Sequence, residues 1–273
     1  DLMHDVYFGL RYEGEQKWFT ELTDVRYEDQ SHIIMAQLRE QDLRLKVRYF
    51  APYGLEANAL LMTVTVRNEG NSPATIQLAA KANLKLGGDT DGRVEPNTEN
   101  ESLRLSDGYF TETGPGGGHA IYLPIEGETL MTCGADATLY EQWVSGGDLT
   151  QQDNCTGNNQ VITATKEQVI NAGEEADFGL AILFLNDNPN VPQADDFRDY
   201  RSVEDVVNQW RAFVGERTTA DVIADAKEEF EAWRVPPSEL GLTALSEDEI
   251  RLWRQSESVM RMGQIREAIQ ENR

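Results

Sequence analysis

Two cysteines, three histidines and five aromatic residues are the side chains that suggest chemistry on a first reading. Cys133 and Cys155 form an even pair in surroundings rich in Gly, Asn and Asp. That setting suggests a disulfide and an oxidising compartment, the alternative being two free thiols in a reducing one. Closing such a loop would stabilise the fold by about 3 kcal/mol through chain entropy. No Cys-x-x-Cys pair or Cys/His cluster accompanies them, so no metal site is expected. His4, His32 and His119 are the only histidines. Histidines can work with a glutamate as acid and base, but these three follow no shared pattern and suit ordinary core or surface positions. Trp18, Trp143, Tyr53, Tyr109 and Tyr122 carry flat apolar faces that can stack on the C–H groups of pyranose rings. At strand-like positions such rings more commonly belong to a core.

Three short motifs are weaker. Asp89-Thr90-Asp91-Gly92 opens like a calcium loop but lacks the further spaced oxygens and the distal Glu, so it reads as a turn. The Gly114–Gly118 stretch is glycine-rich, but no Lys-Ser/Thr pair follows to hold a phosphate, so it reads as a flexible loop. Asn154-Cys155-Thr156 matches a glycosylation sequon. No residue is assigned a catalytic or cofactor role, and no cofactor is expected.

The 273 residues allow one large domain, or one domain and a smaller unit. A hydrophobic content of 40% suffices for a substantial core. No run of about 18 apolar residues occurs, so no membrane-spanning helix is expected. No signal peptide is visible either. The chain holds 24 Lys+Arg against 48 Asp+Glu, net −24. Phosphate contacts need a basic face, so nucleic-acid binding is disfavoured, whereas neutral ligands such as sugars are compatible. Residues 201–273 carry 10 basic and 15 acidic residues, so most of the negative charge belongs to residues 1–200.

Those first two hundred residues must position any site, and to about residue 185 they read in period 2. Leu43, Leu45, Val47 and Tyr49 alternate with Arg44, Lys46 and Arg48, placing one face on a core and one in water. Leu60, Met62, Val64 and Val66 repeat the pattern, with Thr63 and Thr65 opposite. A longer strand runs through Ile76, Leu78, Ala80, Ala82, Leu84 and Leu86. Phe178, Leu180, Ile182 and Phe184 form another, and Ala181 and Leu183 make its second face apolar too, as for a strand buried on both sides. Turn signals separate the strands, among them Asp107–Gly108, which reads as a hairpin turn. Long strands joined by turns, without interposed helices, predict a mainly β fold: a large two-sheet antiparallel sandwich.

After about residue 200 the period changes to 3.6. A capping pair, Ser202 and Asp205, precedes a stripe of Val203, Val206, Val207, Trp210, Phe213 and Val214. A second helix is predicted over Thr219–Trp233 and stopped by Val235-Pro236-Pro237. A third starts at the capping box Ser246…Glu249. Its apolar residues surround much of the axis, so it requires neighbours on more than one side. No internal repeat is evident.

Three stretches then carry a resemblance: "DLMHDVYFGLRYEGEQKWFTE", "LRLKVRYFAPYGLEANALLMTVTVRNEG" and "ALSEDEIRLWRQSESVMRMGQIREA". The first two look like early sandwich strands, and the third like the helix leading into an (α/α)6 catalytic barrel. In this order and spacing they resemble the bacterial glucoamylase-like enzymes of glycoside hydrolase family fifteen. The resemblance implies a β-supersandwich related to the galactose-mutarotase fold over residues 1–195. It implies a helical linker over 196–240 and the first helix of a truncated catalytic domain over 241–273. The family's paired catalytic glutamates would lie beyond Arg273, so none is carried over, and the parent enzyme would be inverting. The implied partners are the missing barrel and carbohydrate, and the implied location is periplasmic or extracellular. The alternatives are a stand-alone carbohydrate-binding module and a mutarotase-like sugar epimerase.

Overall fold

A computed structural model describes residues 3–84, 86, 100–114, 118–185, 201–235, 239 and 244–262. Its first strands are β1 (Met3–Tyr12), β2 (Glu15–Trp18), β3 (Arg26–Tyr27), β4 (Ile34–Glu40) and β5 (Leu43–Phe50). Next come β6 (Asn58–Asn68), β7 (Ala74–Leu84), β8 (Glu101–Ser106), β9 (Tyr109–Thr113) and β10 (His119–Pro124). β11 (Leu130–Ala135), helix α1 (Asp136–Val144), β12 (Asn154–Gly157), β13 (Gln160–Ile170) and β14 (Glu175–Leu185) complete the β region. Helices α2 (Val203–Val214), α3 (Thr219–Trp233) and α4 (Glu247–Met262) follow.

The strands make two antiparallel sheets. The smaller runs β11-β13-β7-β1-β2, and the larger runs β12-β8-β9-β10-β14-β6-β5-β4-β3. The inward residues of both sheets, including Phe8, Leu45, Val64, Leu78, Phe110, Tyr122 and Phe178, form one core between them. This is a mainly β, two-sheet supersandwich with helices after it. Hairpin chemistry sets its register: Asp107 (φ 49°) and Gly108 (φ 80°) take the two positive-φ positions of the turn joining β8 and β9.

A second core lies on the outside of the larger sheet. Leu61, Ile121, Ala181 and Leu183 point away from the sandwich and are covered by Val206, Val207 and Trp210 of α2 and by Val222 and Ala226 of α3. β14 is thus buried on both faces, as its continuous apolar run requires. Gly179 marks the closest approach: a Cβ there would lie 2.5 Å from Ile125 Cδ1 and 3.3 Å from Thr219 Cγ2. The helices begin where their caps dictate. Ser202 and Asp205, and Thr218 and Asp221, form reciprocal capping boxes.

The structure corrects the sequence reading in three places. Arg48 is buried rather than in water, because the outer face of the larger sheet is covered and Glu28 neutralises the guanidinium. Helix α1 interrupts the run of strands. It is nine residues long and buries only Leu139 and Trp143, one i,i+4 pair, too little for its period to stand out. Leu86 lies outside β7, which is described to Leu84. Asp89–Gly92, Pro236 and Pro237 lie outside the described residues, as do residues 115–117 and the side chain of His4.

Candidate functional site

The structure places the sequence candidates in separate environments. Cys133 on β11 and Cys155 on β12 form a disulfide that ties one edge of the smaller sheet to the edge of the larger. His32 lies just before β4, with Nε2 3.0 Å from the Ala51 carbonyl and its ring against Tyr53 and Phe230. His119 opens β10 and meets Thr113 through Nδ1 at 2.9 Å. Three strands separate β10 from β4, about 19 Å at the usual strand spacing, so the two imidazoles do not share a site.

The aromatic candidates are packed. Trp18 and Trp143 of α1 pack with ring centroids 5.0 Å apart and planes tilted by 34°, and both are buried. Gly9 makes room for them: a Cβ there would meet Trp18 at 2.6 Å and Trp143 at 2.9 Å. Tyr122 is in the sandwich core. Tyr53 faces Phe230 of α3, and Tyr109 lies 6.0 Å beneath the Arg211 guanidinium of α2. All five rings therefore hold elements together.

Three polar clusters escaped sequence reasoning. The first lies inside the sandwich. Glu112 on β9 shares the inward face of Phe110, and Glu101 on β8 that of Leu103; Leu103 pairs directly with Glu112. Tyr122 donates to Glu112 Oε2, and the Gln160 amide donates to Glu101 Oε2 at 2.7 Å. The Oε1 atom of each carboxyl is buried and has no hydrogen-bond partner among the described residues. Burial pushes Glu112 up to about 8, against the Tyr122 hydrogen bond, with the nearby Glu101 charge adding to the rise. Burial also pushes Glu101 up to about 7, opposed by its backbone hydrogen bond. The signal lay in the parity of β9, where Glu112 takes a core position beside Phe110.

The second cluster is under α1. Lys81, buried within an alanine-rich strand, pairs with Asp136 and donates to the Tyr7 hydroxyl at 2.7 Å. Burial, then the Asp136 charge, pushes the Tyr7 hydroxyl well up. The third covers the outer face of the larger sheet. Arg48 makes two hydrogen bonds to Glu28, at 2.6 and 3.0 Å, and donates to Thr65 at 2.7 Å. Thr65 in turn donates to Asp177 at 2.5 Å. Lys227 of α3 adds ion pairs to Glu28 at 3.3 Å and Asp29 at 2.8 Å. Burial opposes the Glu28 charge, but Arg48 and Lys227 together hold its carboxyl below the ordinary range.

Inverting hydrolysis needs two carboxyl groups in one pocket with room for sugar and water between them. Glu101 and Glu112 are neighbours on adjacent strands in a packed interior, so they lack that room. Among the described residues no group of three or more His, Cys, Asp or Glu side chains is arranged to hold a metal ion. Nor is any helix there long and apolar enough to cross a membrane.

Fold and clusters together define a large two-sheet supersandwich with buried polar groups both between its sheets and on the outer face of the larger one. A bacterial glucoamylase complexed with acarbose shares this fold, with a TM-score of 0.59 at 10% identity over 93% of this chain and 34% of that one. The chain thus spans about a third of that protein's length. A protein described as a kojibiose phosphorylase from the human microbiome aligns less well, with a TM-score of 0.46 at 12% identity over 82% of this chain and 27% of that one. In sequence the chain is 26% identical over 174 residues to the mitochondrial medium-chain acyl-CoA ligase ACSF2 of Bos taurus, covering 61% of this chain and 28% of that one. Such identity assigns no family, and no family model matches.

Proposed function

We propose that this chain is the non-catalytic N-terminal domain and helical linker of a glucoamylase-like glycoside hydrolase acting on α-glucans or oligosaccharides. On this reading residues 1–195 form the supporting sandwich, 196–240 the linker and 241–273 the start of a helical catalytic domain. The location would be periplasmic or extracellular, in keeping with the Cys133–Cys155 disulfide.

One observation carries the reading. Helix α4 leaves an apolar face uncovered: Leu252 is 65% and Val259 55% exposed, seven residues apart on one stripe. They line, with Val25, Tyr27 and Ile34, an apolar groove of about 730 Å³. The opposite side of α4 is already anchored, since Glu257 is buried and pairs with Arg234, just after α3, at 3.4 Å. A helix fixed on one side and apolar on the other is suited to receive a further helix. The glucoamylase likeness, over a third of that chain, supports a helical domain of the same polypeptide as the occupant.

The test is to express the full reading frame and assay glucose release from α-glucans and maltooligosaccharides. Activity, with protection of the α4 amides against hydrogen exchange relative to residues 1–273 alone, is expected. A full-length product inactive on every α-glucoside would overturn the substrate assignment. Unprotected α4 amides would overturn the docking.

A further inference from the structure

A second cavity, of about 290 Å³, opens where the edges of the two sheets meet. Its floor holds the disulfide and Gly134; its walls are α1, β12 and the segment between them. The polar lining comes mainly from Thr138, Gln142, Gln152, Asn154, Thr156 and Gln160. Among the described residues no charged one lines it. In a chain with 26% charged residues, about three of the twelve lining positions would ordinarily be charged. A strongly acidic protein has here a neutral recess of amides and hydroxyls.

The recess is held in shape without any ligand. The Gln142 side chain donates to Thr150 Oγ1 at 2.8 Å and accepts from the Thr150 amide at 3.1 Å. Thr132 Oγ1 donates to the Thr150 carbonyl at 2.7 Å and accepts from the Gln152 amide at 2.9 Å. The disulfide ties β11 to β12 beneath them. The Thr138, Asn154 and Thr156 side chains, in contrast, have no hydrogen-bond partner among the described residues and face solvent. Bound partners orient one side of the recess while donors and acceptors stay free on the other. This arrangement selects a small neutral ligand with several adjacent hydroxyls.

We infer that this recess is a binding site for a neutral polyhydroxylated molecule the size of one sugar ring. The volume is at the lower end for small-molecule sites, which suits a single ring and excludes a long glucan lying flat. Binding here is a property of this chain alone and does not depend on the catalytic-domain reading.

The experiment is an amide-resolved NMR titration of the chain with glucose, maltotriose, glucuronate and glycerol. Saturable shifts at Gly134, Gln142 and the 152–156 segment, at millimolar glucose, are expected. Shifts with both glucose and maltotriose identify the terminal ring of an oligosaccharide as an acceptable source; shifts with glucose alone identify the free monosaccharide. Glucuronate should bind more weakly, because the surrounding protein is acidic. Thr138→Val and Asn154→Ala remove solvent-facing groups without touching the core, and each should weaken glucose binding about three- to tenfold. Unsaturable shifts, glycerol shifts equal to those of glucose, or variants titrating like the parent would overturn the inference. Lack of α-glucosidase activity in the longer polypeptide would leave it standing.

Discussion

Glu28 and Glu112 are both buried glutamates, one in the turn after β3 that packs over the outer face of the larger sheet and one on that sheet's inner face, and their environments shift their ionisation in opposite directions. Glu28 has Arg48 and Lys227 within ion-pair distance and is held below the ordinary carboxylate range. Glu112 has a phenol and a second carboxyl as neighbours and is pushed up to about 8. Desolvation is the leading influence in both. The difference teaches that burial sets only the cost of the charge, while an available cation decides whether the charge is kept. The outer face obtains its cations from β5 and α3, whereas the inner face is enclosed by apolar strands.

The two carboxyls therefore act on stability in opposite pH windows. The Glu28 contribution is present above its unfolded pKa, near 4.5, and is lost as pH falls through the lower folded value. The Glu112 contribution is fully present below 4.5 and is lost as pH rises toward about 8.

The largest effect should come from breaking the paired side. Arg48→Met leaves Glu28 without its main partner and should cost about 3–5 kcal/mol in urea unfolding at neutral pH. A loss under about 1 kcal/mol would mean that Lys227 alone suffices. Reducing the disulfide should cost about 3 kcal/mol. It should also admit water beside Gln160 and move the Glu101 carboxyl down from about 7 toward 4.5, as read by carboxyl carbon shifts. Removing the unpaired charge should have the reverse sign. Glu112→Gln is expected to stabilise the fold on the order of 2 kcal/mol at pH 9 and to change little at pH 4. Equal effects at both pH values would show that Glu112 ionises normally. The smallest change is Tyr122→Phe, which should cost about 1 kcal/mol and raise the Glu112 titration further, because the lost hydrogen bond favoured the carboxylate.

Much of the architecture was legible in the residues. The double-sided apolar run of β14, the Asp107–Gly108 turn, the capping boxes at Ser202 and Ser246, and the bounds of α3 are local patterns. Each follows from backbone period or from a side chain within four residues. The three clusters were not legible, because their members come from distant parts of the chain. Arg48 meets Glu28 across twenty positions, and Lys81 meets Tyr7 across seventy-four. Read alone, Arg48 is a polar residue on an alternating strand, and only the arrival of Glu28 and α3 makes it a buried one.

By itself the sequence determined alternation, caps and turns, and hence two packed sheets followed by helices, because those features arise between near neighbours. The tertiary structure alone decided which charges are paired, which aromatics are core and where a neutral recess opens. Desolvation and ion pairing depend on what lies within a few ångströms in space, and only the folded chain sets those distances.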